Sequence, residues 1–377
     1  MPAVVVTGPR QSGKTTLCRS SFPEKPYVSL ESTESRQFAI QDPRAFLAEY
    51  ADGAIFDEIQ YAPDLLSYMQ GEIDERPEPG RFILTGSQHF ALSQSISQSL
   101  AGRIAILHLL PPSLDELQRF PAQPDDLWQV LFNGAYPRIH DRSLPPQEWL
   151  TDYVTTYIQR DVRQVLNVTD LELFTRFLQL LAGRTSCEVN AASIGADVGA
   201  NAKTIRAWLT VLETSFIAFR IPSWHRNLRK RLVKAPKLHF FDSGLVCHLM
   251  GITEPEQLMR HPLRGAIFES WVASEIYKAR VHASRPPRLF HFRDSQGLEV
   301  DLLVEDGLSA LAVEVKSGQT IASDFFKSLH RLRELVGEGQ PELSYEARLV
   351  YGGSESQKRT AAEVIPWSGI QQTSWIP

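Results

Sequence analysis

The eight residues Gly8-Pro-Arg-Gln-Ser-Gly13-Lys14-Thr15 constrain this chain more than any other segment. They match G-x-x-x-x-G-K-[ST] and stand between an apolar run, Val4–Val6, and a stretch of helical character that begins at Lys14. A buried strand, a glycine-rich turn and a helix N-terminus in that order gather backbone N–H groups around one point, which suits a polyphosphate. Gly8, Pro9, Arg10, Gln11, Ser12 and Gly13 would form the cradle. Lys14 would reach the β- and γ-phosphates, the Thr15 hydroxyl would ligate Mg2+, and Thr16 would continue the helix toward the α-phosphate. ATP with Mg2+ is the expected ligand.

Three further segments fit around that loop. Ala54-Ile-Phe-Asp57-Glu58 is an apolar strand ending in two acids, with Asp57 expected on the metal side and Glu58 as the base that takes a proton from water. Phe82-Ile-Leu-Thr85-Gly-Ser87-Gln88 is a strand ending in small polar residues, suited to lie between the two previous strands and to orient the attacking water through Ser87, or through Thr85. Arg103 opens the next strand and could neutralise charge on the γ-phosphate, either in its own chain or from a neighbouring subunit of a homo-oligomer.

The chain has 377 residues, more than one hydrophobic core usually serves. Short apolar runs alternate with helical stretches up to about residue 110, the pattern of a parallel α/β sheet. Proline clusters then punctuate the chain, helical periodicity runs from Trp149 to about Gly251, and an αβββαβ order follows Leu263. The expected domains are 1–143, 144–262 and 263–377. No run of about 18 apolar residues is present to span a bilayer, and the three scattered cysteines suit neither a disulfide framework nor a zinc site, so a cytoplasmic protein is expected. The net charge of -5 is uneven, and only residues 144–262 are basic, with 14 Lys+Arg against 11 Asp+Glu.

Taken together, several segments resemble a prokaryotic AAA-type P-loop ATPase family fused to a C-terminal domain of unknown function, with a winged helix and a restriction-endonuclease-like PD-(D/E)xK core. They are Thr7–Thr16, Phe56–Gln60, Leu84–Gln88, Leu100–Arg103, Gln159–Val162, Phe241–Leu245, Arg264–Glu269 and Val313–Ser317. Such proteins usually carry a short helical segment before the first strand, whereas here the strand begins at Ala3. A start further upstream is therefore an expectation, and the residues that would cover the adenine are unassigned.

Within the basic third, Ala191–Val198, a turn at Gly199-Ala-Asn and Lys203–Leu212 read as a helix-turn-helix, with an apolar strand at Phe216–Ile221, as in a winged helix. Lys203, Thr204 and Arg206 would then face the DNA major groove, and Arg226, Arg229, Lys230, Arg231, Lys234 and Lys237 would contact phosphates. Docking of a protein partner on the same module is the other open reading. In the last domain Glu269, Asp301 and Glu314-Val-Lys316 reproduce the acid, acid, Glu-x-Lys spacing of the nuclease core. Residues two apart on a strand share a face, so Glu314 and Lys316 project together and Asp301 can complete a second metal site. Such a fold either cuts nucleic acid or survives as a binding platform. The two functional expectations are accordingly an ATPase coupled to DNA, and a nucleotide-gated interaction module with little turnover.

Overall fold

The computed structural model describes residues 1–86, 99–121, 125–158, 170–224, 235–339 and 342–377. It divides into two compact units, Met1–Pro111 with Thr214–Phe216, and Pro112–Glu213 with Ile217–Pro377.

In the first unit the chain runs β1 (Ala3–Thr7), α1 (Lys14–Ser21), β2 (Tyr27–Ser29), α2 (Thr33–Gln41), α3 (Pro43–Glu49), β3 (Ile55–Asp57), α4 (Leu65–Glu75), β4 (Phe82–Gly86) and β5 (Ile104–His108). The strands form one parallel sheet in the order β2-β3-β4-β1-β5. Parallel pairing needs a crossover between strands, which the alternating helices supply. The interior strands read as unbroken apolar runs because both faces are covered. Phe56 packs between Phe46 at 5.4 Å and Phe82 at 5.9 Å and anchors this core. β4 lies between β1 and β3, as its small polar ending had suggested. Register fixes the edges of the sheet: Ala3 faces Ile104, and Thr7 faces both Gly86 and His108. The turns after β1 and β3 therefore open along one edge, at which β4 also ends, and Arg103 sits at the other.

The second unit holds α5 (Leu171–Ala182), β6 (Cys187–Glu188), α6 (Ala191–Val198), α7 (Ala202–Thr214), β7 (Ala218–Ile221) and β8 (Lys237–Phe240). Phe174, Phe177, Leu178 and Leu181, at steps of 3, 1 and 3, are buried along one face of α5, and the two phenylalanine rings meet Trp208 of α7 at 5.3 and 5.1 Å. Asn190 caps α6 and the Asn201 side chain accepts from Thr204 N as α7 begins, so a polar residue before each apolar stretch sets both helix starts. β6, β8 and β7 pair antiparallel in that order.

A 19-residue helix, α8 (Arg264–His282), is buried along most of its length, and the strands β9 (Leu289–Arg293), β10 (Glu299–Asp306) and β11 (Ser309–Lys316) follow it. Then come α9 (Lys327–Gly339), β12 (Ser344–Tyr351), β13 (Gln357–Lys358) and β14 (Glu363–Pro366). The sheet order is β13-β14-β12-β11-β10-β9, with β11 and β12 parallel and β10 antiparallel to both its neighbours.

Residues 112–143, expected with the first sheet, pack in the second unit. Glu275 and Lys278 of α8 are each 1% exposed and pair at 2.8 Å. Leu114 N donates to Glu275 Oε2 at 2.9 Å, and Lys278 Nζ donates to the Pro112 carbonyl at 3.1 Å, so this ion pair ties the segment down. Of the proline pair Pro145-Pro146, read as chain punctuation, Pro146 instead starts a helix, Pro146–Tyr153. Removing one member of a buried pair leaves the other charge uncompensated. Lys278→Met is expected to lower the unfolding free energy of this unit by about 3–5 kcal/mol in urea titrations. A loss below about 1 kcal/mol would show that the pair does not hold the segment in place.

Candidate functional site

The turn after β1 has the shape its sequence requires. Gly13 caps α1 in the left-handed region at φ 92, and a Cβ at Gly8 would lie 2.0 Å from the Leu109 carbonyl oxygen. Only glycine lets the chain leave β1 along this path. Lys14 is 5% exposed, and its ammonium donates to the carbonyls of Gly8 at 3.2 Å and Pro9 at 2.8 Å, which holds it inside the turn. Ser12 Oγ is buried with no hydrogen-bond partner among the described residues. An unpaired buried hydroxyl in a glycine turn at a helix N-terminus suits a phosphate oxygen.

Asp57 gathers the neighbouring elements. Thr15 Oγ1 of α1 donates to its carboxylate at 2.9 and 3.1 Å, Tyr27 OH of β2 donates at 2.8 Å, and Thr85 Oγ1 of β4 donates to Oδ1. Burial and the bond to Asp57 push the Tyr27 hydroxyl up to about 12. The oxygens of Thr15 and Asp57 form the hard, small-cation donor pair expected for Mg2+ beside a polyphosphate, so the residues present fit Mg-ATP.

Glu58 follows β3 in the left-handed region, at φ 59 and ψ 50. For a residue other than glycine this is strained by about 1–3 kcal/mol, and such strain clusters at functional sites. The turn is held by Glu58 N, which donates to Thr85 Oγ1 at 3.1 Å, while the Gln60 amide donates to the Glu58 carboxylate. Thr85 therefore bridges Asp57 and the Glu58 backbone; Ser87, expected to orient water, lies outside the described residues. Tyr27, Gln60 and His108 were missed from sequence. Tyr27 carries no motif, Gln60 closes the matched segment Phe56–Gln60 without a role assigned to it, and His108, whose Nδ1 is 2.8 Å from Thr7 Oγ1, becomes visible only through the β1–β5 register.

Arg103 corrects one expectation. Its backbone pairs with Ala3, five residues before Gly8, so it stands on the order of 16 Å along the sheet from the phosphate turn. Its guanidinium is engaged bidentately by Asp74, at 2.6 and 2.8 Å. Action on the nucleotide of its own chain is thereby overturned.

A second cluster forms in the other unit. Lys316 Nζ lies 2.6 Å from Glu314 Oε1 and 3.7 Å from Asp301 Oδ2, which also accepts from Val315 N at 2.8 Å. Glu269 pairs at 3.1 Å with Lys237, which also holds Glu299 at 2.7 Å. Burial and the Asp301 charge push Glu269 and Glu314 each up to about 8. Lys316 thus joins Glu314 and Asp301, Lys237 joins Glu269 and Glu299, and the Asp301 charge acts on both Glu269 and Glu314. Among the described residues no three acid, imidazole or thiolate groups converge to hold a metal ion. Lys237, expected on DNA phosphates, is 4% exposed and occupied by carboxylates, and that expectation is corrected. Lys203 and Arg206 lie exposed one turn apart on α7; Arg226, Arg229, Lys230, Arg231 and Lys234 lie outside the described residues. The Asp242 carboxylate caps the helix Ser243–Leu249 and accepts from Ala135 N at 2.6 Å, which gives the Phe241–Leu245 segment a structural role.

Two mycobacterial proteins, Rv2008c of Mycobacterium tuberculosis and Mb2031c of Mycobacterium bovis, both named as uncharacterized, are each 30% identical to this chain over 323 residues, covering 85% of it and 71% of the relative. The chain belongs to the Rv2008c family. Along it, residues 1–118 match an AAA domain, residues 124–256 a domain of unknown function (DUF8612), and residues 264–370 another (DUF4143). The N-terminal domain is therefore a P-loop ATPase-type domain of the AAA class, and the C-terminal one is DUF4143. A RuvB structure from Thermotoga maritima aligns with 58% of this chain and 82% of its own at 19% identity, with a TM-score of 0.30. No described helix is long and apolar enough to cross a membrane.

The geometry separates binding from chemistry. Lys14→Ala is expected to weaken ATP binding in calorimetric titrations, whereas Glu58→Gln should bind ATP normally and turn it over about 10²–10⁴-fold more slowly. Wild-type turnover in Glu58→Gln would remove it from the role of base.

Proposed function

We propose that this protein hydrolyses ATP to ADP and phosphate with Mg2+, and that nucleotide state governs a DNA-interacting middle module attached to a nuclease-like domain. The observation that carries the proposal is the Asp57 carboxylate, which joins Thr15 after the glycine turn to the strand that Glu58 follows. Thr15 and Asp57 would hold the metal, which when bound supplies charge neutralisation on the phosphate oxygens. Lys14 moves from the loop carbonyls to the phosphates. Glu58 accepts the proton of the attacking water, for which its carboxylate must exchange the Gln60 amide for that water. Ser87 remains a proposed water-orienting residue, and Arg103 is proposed to act only on the nucleotide of a second copy in a homo-oligomer.

Three domains are part of this proposal: the boundary near 262 is supported by family matches that break near residue 260, while the first boundary moves from 143 to between residues 111 and 124, where the packing of residues 112–143 and the family matches both break. DNA binding is supported by the helix pair α6–α7 followed by antiparallel strands, and by Lys203 and Arg206 on the solvent face of the second helix. DNA and a protein partner differ in their readout, because DNA would engage Arg229, Lys230 and Arg231 through phosphate neutralisation, which salt weakens steeply.

A second reading, in which the C-terminal domain is a binding platform, is favoured by the lysines already paired with its acids. ATP turnover of the full chain with Mg2+, measured with and without duplex DNA while that DNA is monitored for cleavage, decides between them. Stimulation by DNA is expected, and the log-log salt slope of binding should become shallower by about 0.9 for each phosphate that Arg229→Ala/Lys230→Ala/Arg231→Ala no longer neutralises. Turnover indifferent to DNA, and an unchanged salt slope, would favour protein docking on a nucleotide-gated module.

A further inference from the structure

The acid pocket of the second unit is assembled from separate pieces of chain. Glu269 comes from α8, Glu299 and Asp301 from β10, and Glu314 from β11. All four are oxygen donors, the set that hard divalent cations prefer. Each is instead engaged by an ammonium group: Lys316, from the same strand as Glu314, lies at 2.6 Å from Glu314 and 3.7 Å from Asp301, and Lys237 at 3.1 Å from Glu269 and 2.7 Å from Glu299.

The two lysines differ in origin. Lys316 is fixed by the sheet that carries the acids, with its strand hydrogen-bonded along its length to β12. Lys237 is the first residue of β8, which belongs to the small sheet with β6 and β7. Its side chain is 5% exposed, so its charge is committed to the carboxylates. A second observation points to capacity beyond the lysines. Glu314 is 5% exposed, and its Oε2 has no hydrogen-bond partner among the described residues. A buried carboxylate oxygen left unpaired beside Asp301 is the acceptor a cation would use, and the small separation between the acids is tolerable only while positive charge stands between them.

We propose that Lys237 is a tethered counter-ion that closes a divalent-cation site of Glu269, Asp301 and Glu314, and that the site takes Mg2+ or Mn2+ when β8 withdraws the lysine. The inference rests on the reading of this pocket as nuclease-like and adds its regulation. The exchange involves no covalent step: an ammonium leaves and a divalent ion enters, which adds one positive charge to a pocket of four acids and Lys316, and the acids close on the ion with Glu314 Oε2 satisfied. Because β8 is an element of the α6–α7 module, an event that shifts this strand would be felt at the pocket as a change in metal affinity.

Mn2+ titration of the nucleotide-free full chain, read from the free-ion signal in electron paramagnetic resonance, tests the proposal with Lys237→Gln against wild type. One ion should bind about tenfold more tightly or better in Lys237→Gln, as when a closed form that dominates by that ratio is removed. Adding Glu314→Gln should abolish the gain. Equal affinity in a Lys237→Gln protein with wild-type circular dichroism would overturn the proposal. Should that variant fail to fold, reductive methylation of the wild type, read at each lysine by mass spectrometry, decides the matter. Lys237 protected without metal and labelled at saturating Mn2+ supports closure; protection unchanged by Mn2+ overturns it. Tight Mn2+ binding by Lys237→Gln without cleavage of DNA or RNA would keep this inference and remove the nuclease reading.

Discussion

Much of the first unit converges on one buried carboxylate. Asp57 takes hydrogen bonds from Thr15 on α1, Tyr27 on β2 and Thr85 on β4, and so ties the phosphate turn to the strands on either side of it. A buried carboxylate is tolerable when its lone pairs are filled, and three hydroxyls fill them here. The same oxygens and the Thr15 hydroxyl are the groups a Mg-nucleotide would draw on. Folding and function thus compete for one set of donors, and Thr15 is the donor that must change partners. Next to this hub the backbone of Glu58 is held in a strained conformation by Thr85, so the residue proposed as base is positioned by the hydroxyl that also bonds Asp57.

The sequence made legible whatever is encoded in contiguous residues. The glycine turn, the apolar strand ending in Asp57-Glu58 and the strand placed between them follow from local patterning, because a buried parallel strand is a run of apolar residues and a phosphate turn needs glycine at set positions. The acid cluster was also legible in part, since Glu314 and Lys316 share a face by alternation. What was not legible depends on pairing between distant segments. Tyr27 meets Asp57 only because β2 lies beside β3, and Arg103 is carried to the far edge of the sheet by the register of β5 on β1. A basic run in sequence looks like a surface for phosphates, yet Lys237 turns inward, because β8 pairs with β7 and delivers its first side chain to Glu269 and Glu299. Likewise, Pro146 looked like a boundary but sits in a first helical turn, a distinction that needs the following residues to pack.

The second unit shows the same economy of charge. Glu275 and Lys278 are buried together and fasten residues 112–114 to α8, while Lys237 and Lys316 balance the acids at the other end of the domain. In each case an ion pair out of water is held by further hydrogen bonds, the condition under which such a pair does not unfold its surroundings. The two cases differ in mobility: Glu275 and Lys278 stand three residues apart on one helix, whereas Lys237 reaches the acids from a strand of another sheet. A pair built from two elements can be opened by moving one of them.

The central claim is that Asp57 and Thr15 turn from each other to a shared metal when nucleotide binds. Calorimetric titration of ATP into wild type and Asp57→Asn, each with and without Mg2+, tests it most directly. The account predicts that Mg2+ tightens ATP binding to the wild type by about tenfold or more, and that Asp57→Asn loses this enhancement while keeping its metal-free affinity. Equal enhancement by Mg2+ in both proteins, or none in the wild type, would contradict it.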